Sequence, residues 1–277
     1  QVRTADGASV KASEHMKKVM NCEPVETTLF VPDCELYAQV LAGVGLEAEE
    51  VALISLLTPK DPTVDFMAAT EKMMVSYEPE VRDIEFMLDA WQTGNYRAYK
   101  GQIRIDNYQR GNPPYNDRES FEGEFVYDDN GAFVVQREEW APFSLTIPKL
   151  DMPENGWPIA VYGHGTGGDR LSPLGDSNGA EAFLLAQAGW AVITVAEPLH
   201  KSRDGYSEGN EEINTFNFFN PWSSRDTWLM SALEKIQQVS AVIDLQVPEI
   251  DDAPSAFFNA DQIAYIGHSQ GGIVGAL

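Results

Sequence analysis

The chain has 277 residues, 43% of them hydrophobic, which suffices for one large packed domain or two ordinary ones and is too apolar for a disordered chain. Its formal net charge is −24, from 43 acidic and 19 basic residues, a surface that repels nucleic-acid phosphate and anionic lipid and reads as the solubility device of a secreted or salt-exposed protein. The longest apolar run, Phe183–Ala196, spans fourteen residues and contains Gln187; it is short of the ~20 a bilayer requires and reads as a helix end followed by a strand.

Two cysteines, Cys22 and Cys34, are separated by eleven residues. They close a small loop if the compartment is oxidising and are two buried thiols otherwise. The chain starts at Gln1, with no charged n-region and no apolar h-region, so the expectation is a mature form from which a signal peptide has gone.

Asp33 precedes an apolar-periodic stretch, Leu36 to Leu46, that ends around Gly45, and Val51–Leu57 is a candidate strand. Asp61-Pro62 sets an N-cap and first helical residue for a helix through Met74. Val81, Ile84, Met87, Leu88 and Trp91 fall at helical spacing, which predicts a helix over Glu80–Trp91. Met67, Met73 and Met74 read as packing.

From Tyr96 the period changes. Gly101–Asn107 alternates, and Glu122–Tyr127 and Ala132–Gln136 flank Asp128-Asp129-Asn130-Gly131, where the Asn-Gly pair predicts a hairpin turn. That acidic turn lacks the spacing and terminal Glu of a calcium loop. Pro142–Pro148 is a further alternating strand. Then come the continuous apolar strand Pro158–Tyr162, a glycine-rich loop at Gly163–Gly168, a helix over Ala180–Ala188 and a strand at Trp190–Val195. A long helix over Ser224–Leu245 and the strand Ile263–Ile266 follow. The helix is expected to turn Trp228, Leu229, Leu233, Ile236, Val239, Val242 and Ile243 inward. Buried strands alternating with helices predict an α/β domain with a parallel sheet covered on both faces.

Two motifs carry chemistry. Gly267-His268-Ser269-Gln270-Gly271 follows the last strand and leads into Gly272–Leu277, a candidate helix start. As a bare pattern it arises by chance in roughly one chain of this length in ten. A nucleophile, however, needs this strand-to-helix turn, with Gly267 and Gly271 tolerating its backbone angles and close approach. Ser269 is the candidate nucleophile; a helix-capping serine is the alternative. Acyl transfer also needs two N–H donors aimed at the developing oxyanion. Gln270, after the nucleophile, supplies one. Thr166, after His164-Gly165 in the Gly163–Gly168 loop, is the candidate for the other. A phosphate loop would carry a Lys after the glycines, and none is present.

His164 is expected to shape its loop, and His268 to point away from Ser269 on the sharp turn. His200 follows a strand end, where pocket residues collect. The four histidines show no metal-ligand spacing. Lys201–Trp222 carries Phe216, Phe218, Phe219 and Trp222, and is a candidate lid or acyl pocket.

Gly-His-Gly-Thr-Gly-Gly-Asp at 163–169, Glu-Pro-Leu-His at 197–200, Asn-Phe-Phe-Asn-Pro at 217–221 with Ser-Arg-Asp at 224–226, and Gly-His-Ser-Gln-Gly-Gly at 267–272 resemble the bacterial extracytoplasmic lipase/esterase branch of the α/β-hydrolases. The resemblance spans residues 140–277; residues 1–95 more loosely resemble that branch's accessory N-terminal region. It implies an α/β-hydrolase fold over 96–277, mostly parallel, with helices on both faces. It also implies a secreted or extracytoplasmic serine esterase or lipase without cofactor, metal or nucleic-acid partner, acting on a small-molecule ester or lipid. A peptidase or polyester depolymerase on the same machinery, or a non-catalytic binding protein that keeps the fold, is the alternative. The family orders its triad as nucleophile, acid, histidine, so acid and base are expected beyond 277. The expectation is therefore the N-terminal part of a longer hydrolase, truncated after the elbow and completed by a C-terminal segment or second chain.

Overall fold

A computed structural model describes residues 5–8, 10–24, 34–53, 63–88, 91–175, 177 and 179–277, and the chain divides into two compact units, residues 1–62 and 63–277. In the smaller unit, α1 (Glu14–Met20) starts at Ser13, whose hydroxyl oxygen accepts the Met16 N–H at 3.1 Å. A disulfide joins Cys22 to Cys34, the first residue of α2 (Cys34–Val44). Gly45 then takes φ +69°, the left-handed conformation that ends helices. Asp33, the Asp61-Pro62 helix start and residues 54–57 of the expected strand lie outside the described residues; Val51–Leu53 form no strand.

The larger unit holds α3 (Val64–Ser76) and seven strands: β1 (Val81–Phe86), β2 (Tyr96–Asn107), β3 (Arg137–Pro148), β4 (Trp157–Gly163), β5 (Ala191–Val195), β6 (Gln246–Val247) and β7 (Ala256–Gly267). Their order across one sheet is β1-β2-β3-β5-β4-β7-β6. Only the β5–β4 and β4–β7 pairs are parallel, so the sheet is mixed and the expectation of a mostly parallel sheet is corrected. β1–β2–β3 run antiparallel, as do β3–β5 and β7–β6. The three parallel strands are those joined through helices: α4 (Glu181–Gln187) links β4 to β5, and α5 (Glu211–Phe216) and α6 (Pro221–Ile243) lie between β5 and β7.

The period-two alternation of the strands builds two cores. Ile159 and Val161 of β4 and Ile193 and Val195 of β5 join Ile103, Phe143 and Leu145 under Met230 and Leu233 of α6. Tyr162 and Val192 face the other way, with Tyr96 and Ala98, against Ala182 and Ala186 of α4. Helices therefore cover both faces.

The expected helix over Glu80–Trp91 is corrected: Val81–Phe86 form strand β1, and residues 89–90 lie outside the described residues. β1 carries a register irregularity between Arg82 and Glu85, with Asp83 at φ +57°, so the residues that pack on the core are Val81, Ile84 and Phe86. A bulge that inserts one residue turns a spacing of two into three, which imitates a helical repeat. The predicted hairpin is reduced to a single bridge, Tyr127 with Phe133, while Phe125 bridges instead to Gln109. Its turn is present: Asp128 Oδ1 accepts the N–H groups of Asn130 and Ala132, and Gly131 takes φ +71°.

α6 starts with Asn220 as N-cap and Pro221 in the first turn. Leu233 and Val242 are inward as expected, Leu229, Ile236 and Val239 pack half-buried on the same core, and Met230, outside the expected set, is buried as well, but Ile243 is exposed. The helix also buries a polar side. Asp226 accepts the Phe125 N–H at 2.8 Å, and the Gln237 amide pairs with both the N–H and C=O of Asp106. Glu234 and Lys235 are likewise buried. Among the described residues, no helix is long and apolar enough to cross a membrane.

Candidate active site

β4 lies between its two parallel neighbours, β5 on one side and β7 on the other. The chain leaving β4 crosses to one neighbour and later returns to the opposite one, so the carboxyl ends of β4 and β7 form a topological switch point, where α/β sheets open a crevice. Both motifs sit there: the loop Gly163–Gly168 follows β4, and Gly267–Gly271 follows β7.

Ser269 is the N-cap of α7 (Gln270–Val274), exposed, at φ 51° and ψ −112°. That conformation costs a non-glycine residue about 1–3 kcal/mol and marks a sharp strand-to-helix turn. The glycines around it have no room for a side chain. A Cβ on Gly267 would lie 2.5 Å from the Gly271 carbonyl carbon, and one on Gly271 would lie 2.2 Å from the Gly163 oxygen. A Cβ on Gly165 would meet His268 Nδ1 at 2.9 Å and Ser269 Cβ at 3.1 Å. The elbow and the loop are thus in contact and bonded: His268 N–H donates to Gly163 O at 2.9 Å and Gly271 N–H to His164 O at 3.0 Å. Tyr265 adds a bond from its hydroxyl to Gly271 O at 2.7 Å, and burial pushes its phenol pKa up.

The two candidate oxyanion donors are brought together. Thr166 Oγ1 donates to Gln270 Oε1 at 2.9 Å. Gln270 is the first residue of α7, where a backbone N–H has no intrahelical acceptor. Among the described residues, no backbone carbonyl accepts the Thr166 N–H.

His164 is fully buried. Its Nε2 accepts the Glu197 N–H at 2.8 Å, which leaves Nδ1 as the protonated nitrogen, donating to Gly165 O at 2.7 Å. Burial lowers its pKa to about 4, against a smaller upward pull from Glu197, so it is neutral at pH 7 and shapes the loop. His268 is exposed, against Gly165. His200 does not line a crevice. It is fully buried, edge-on to His164 with ring centres 5.1 Å apart, donates from Nδ1 to Pro198 O at 3.0 Å, and has its pKa lowered by burial. No hydrogen bond joins Ser269 Oγ to a histidine among the described residues.

Two largely buried ion-pair clusters involve five charged residues to which the sequence assigned no role. Lys235 Nζ lies 2.8 Å from Glu197 Oε1 in an ion pair, with Glu197 at the end of β5. Arg203 forks between Glu139 and Glu234, at 2.6 and 2.7 Å, and donates to Ala196 O. Burial alone would lower the Arg203 pKa, but the two carboxylates raise it well above the usual value. In the sequence these residues are indistinguishable from solvated charges on loop and helix faces.

Phe216, Phe218 and Phe219, with Ile213 and Glu212, line an open cleft of about 610 Å³ that includes Thr166. Phe218 and Phe219 are 85% exposed. Trp222 stands apart on the first turn of α6, with the Arg225 guanidinium 5.8 Å from its ring.

No protein-family model matches the chain, and no curated protein matches it. Solved structures similar to it include the acetyl xylan esterase of a Paenibacillus species (15% identity, TM-score 0.45, 79% of this chain and 55% of that one). Acetyl xylan esterase 1 of a Thermoanaerobacterium species is similar as well (15%, 0.41, 76% and 52%). So is the glucuronoyl esterase of Solibacter usitatus (10%, 0.36, 97% and 56%). The chain spans about half the length of each. The reading of the site stands on its geometry.

Proposed function

We propose that this chain carries the nucleophile and oxyanion half of a secreted serine carboxylic-ester hydrolase with an α/β-hydrolase fold. Ser269 Oγ attacks the acyl carbon as its proton passes to a base, and collapse of the tetrahedral intermediate breaks the bond to the ester's alcohol, which leaves with that proton. The N–H groups of Thr166 and Gln270 hold the oxyanion, and water releases the acyl group from Ser269. The observation that carries the reading is the backbone of Ser269, a strained non-glycine turn whose flanking glycines are locked against the Gly163–Gly168 loop. The similar structures named above are esterases, and the disulfide fits an oxidising compartment.

A serine hydroxyl needs a base at neutral pH, and we propose that an acid–histidine pair reaches Ser269 from a further segment or chain. Its docking edge is β7: among the described residues Ile263–Gly267 pair with β4 on one side only, and Ile263, Tyr265 and Ile266 are half-buried.

A fluorophosphonate probe tests both statements on the native protein. The expected result is one covalent adduct on Ser269, lost in Ser269→Ala, on a species whose intact mass exceeds 30.7 kDa or that co-purifies with a second polypeptide. No labelling of the native protein overturns the enzyme reading in favour of a binding protein. Labelling of a lone 30.7 kDa chain overturns the completing segment alone.

A further inference from the structure

The cleft beside Thr166 has a charge pattern as well as an apolar surface. Its lining is aromatic and aliphatic except for Thr166 and one ionisable group, Glu212, which is exposed on the first turn of α5. The stretch 204–224 around it contains Asp204, Glu208, Glu211 and Glu212 and no Lys or Arg. The flanking cations are engaged elsewhere. Lys201 lies 3.8 Å from Asp169, Arg203 is buried between Glu139 and Glu234, and Arg225 is paired with Asp226 at 2.6 Å. Among the described residues Glu212 forms no ion pair, and the chain as a whole is strongly negative.

We infer that Glu212 is a specificity-determining residue: the cleft takes the apolar arm of a neutral or cationic ester and discriminates against an arm that carries a negative charge. This deepens the esterase reading and rests on it for the word ester. The apolar walls supply non-directional affinity through the exposed Phe218 and Phe219, and the single carboxylate supplies the sign. The same field disfavours a freshly released carboxylate from staying in the cleft. Two unit charges about 4 Å apart in water interact by ~1 kcal/mol, so the discrimination from Glu212 is roughly fivefold in affinity, and it fades in 1 M salt, where the Debye length is about 3 Å.

Binding separates this inference from catalysis. The native protein bearing Ser269→Ala is titrated with octyltrimethylammonium, octanol and octyl sulfate, all below micellar concentrations, by calorimetry. The expected order of affinity is cation, then neutral, then anion. Glu212→Gln narrows the cation-to-anion ratio roughly 25-fold, about fivefold from each ion against octanol, Glu212→Lys carries it further in the same direction, and Phe218→Ala with Phe219→Ala weakens all three together. Glu249→Gln, which removes the same net charge from an exposed position outside the cleft, leaves the ratio unchanged. Equal narrowing by Glu249→Gln and Glu212→Gln would assign the preference to net charge and overturn the inference, as would a ratio indifferent to Glu212. Charge-ordered binding in a protein that never labels with fluorophosphonate would keep the inference for an apolar ligand and sink the esterase reading.

Discussion

Gly271 occupies the tightest position of the elbow. A methyl group there meets the backbone oxygen of Gly163, 2.2 Å away, and backbone cannot swing aside as a side chain can. Gly272, the next residue in the same helix, meets nothing closer than Gly267 O at 3.5 Å, an ordinary contact. The two substitutions carry the same gain in helix propensity and differ only in that clash. Gly271→Ala is expected to cost about 1–3 kcal/mol or more, which lowers the thermal midpoint by roughly 2–6 °C, whereas Gly272→Ala keeps the parent's midpoint or exceeds it. Scanning calorimetry of the pair reads the difference, and a Gly271→Ala protein that melts with the parent would show that the loop and elbow do not cross at this distance. Ser269 itself was legible as a nucleophile candidate because a strained turn demands small neighbours and leaves them as a spaced pattern. Glu197, Lys235 and Arg203 were not, since a buried ion pair has the same residue types as a solvated one and only the third dimension tells them apart.

At the scale of elements, the strands and helices that position the site follow from pattern. β4 and β5 are continuous apolar runs buried on both faces, β7 ends in the apolar, half-buried run Ile263–Ile266, and α6 has a clear apolar stripe. The misreading of β1 has a local cause: its irregularity between Arg82 and Glu85 shifts the inward set to Val81, Ile84 and Phe86, and period two becomes unreadable. The polar side of α6 was hidden for a different reason, namely that its partners are backbone groups of Asp106 and Phe125 more than a hundred residues away. His164 joins two elements, since its ring bridges the loop after β4 to the Glu197 N–H after β5. Its pKa falls from 6.5 to about 4 on folding, mainly by burial. Between those values the unfolded chain binds the proton and the folded one does not, so stability rises with pH across the window. The contribution is fully present above pH 6.5 and is lost as pH falls toward 4, to the extent of roughly 3 kcal/mol. His200, also lowered by burial, acts in the same direction. Urea midpoints of the parent are expected to drop from pH 7 to pH 4.5, and His164→Asn, less stable at pH 7, is expected to show a shallower drop. Parallel pH profiles for the two proteins would mean that His164 is not held neutral.

For the molecule as a whole, the excess of 43 acidic over 19 basic residues sets a further term. Several of the cations are committed to local partners: Arg203 and Lys235 inside the fold, Arg104 to Glu80 and Glu78, and Arg225 to Asp226. These pairs are short-ranged and in part buried, so salt screens them weakly. The unmatched carboxylates repel one another over longer distances through water, which salt screens well, the Debye length falling from about 30 Å at 0.01 M to about 10 Å at 0.1 M. Self-repulsion destabilises the compact state more than the expanded one. Added salt is therefore expected to raise stability, the reverse of what a surface held by exposed ion pairs would show. The thermal midpoint at pH 7 should climb between 0.01 and 0.2 M sodium chloride, most steeply at the low end, where exclusion effects of salt are small. The climb should shrink at pH 4.5, because protonated carboxylates no longer repel, even though the His164 linkage has by then lowered the midpoint itself. A midpoint that is flat or falls with salt at pH 7 would place the stabilising balance in surface pairs rather than in relief of repulsion. A climb of equal size at both pH values would trace it to salt exclusion from apolar surface, such as that of Phe218 and Phe219, instead of to charge.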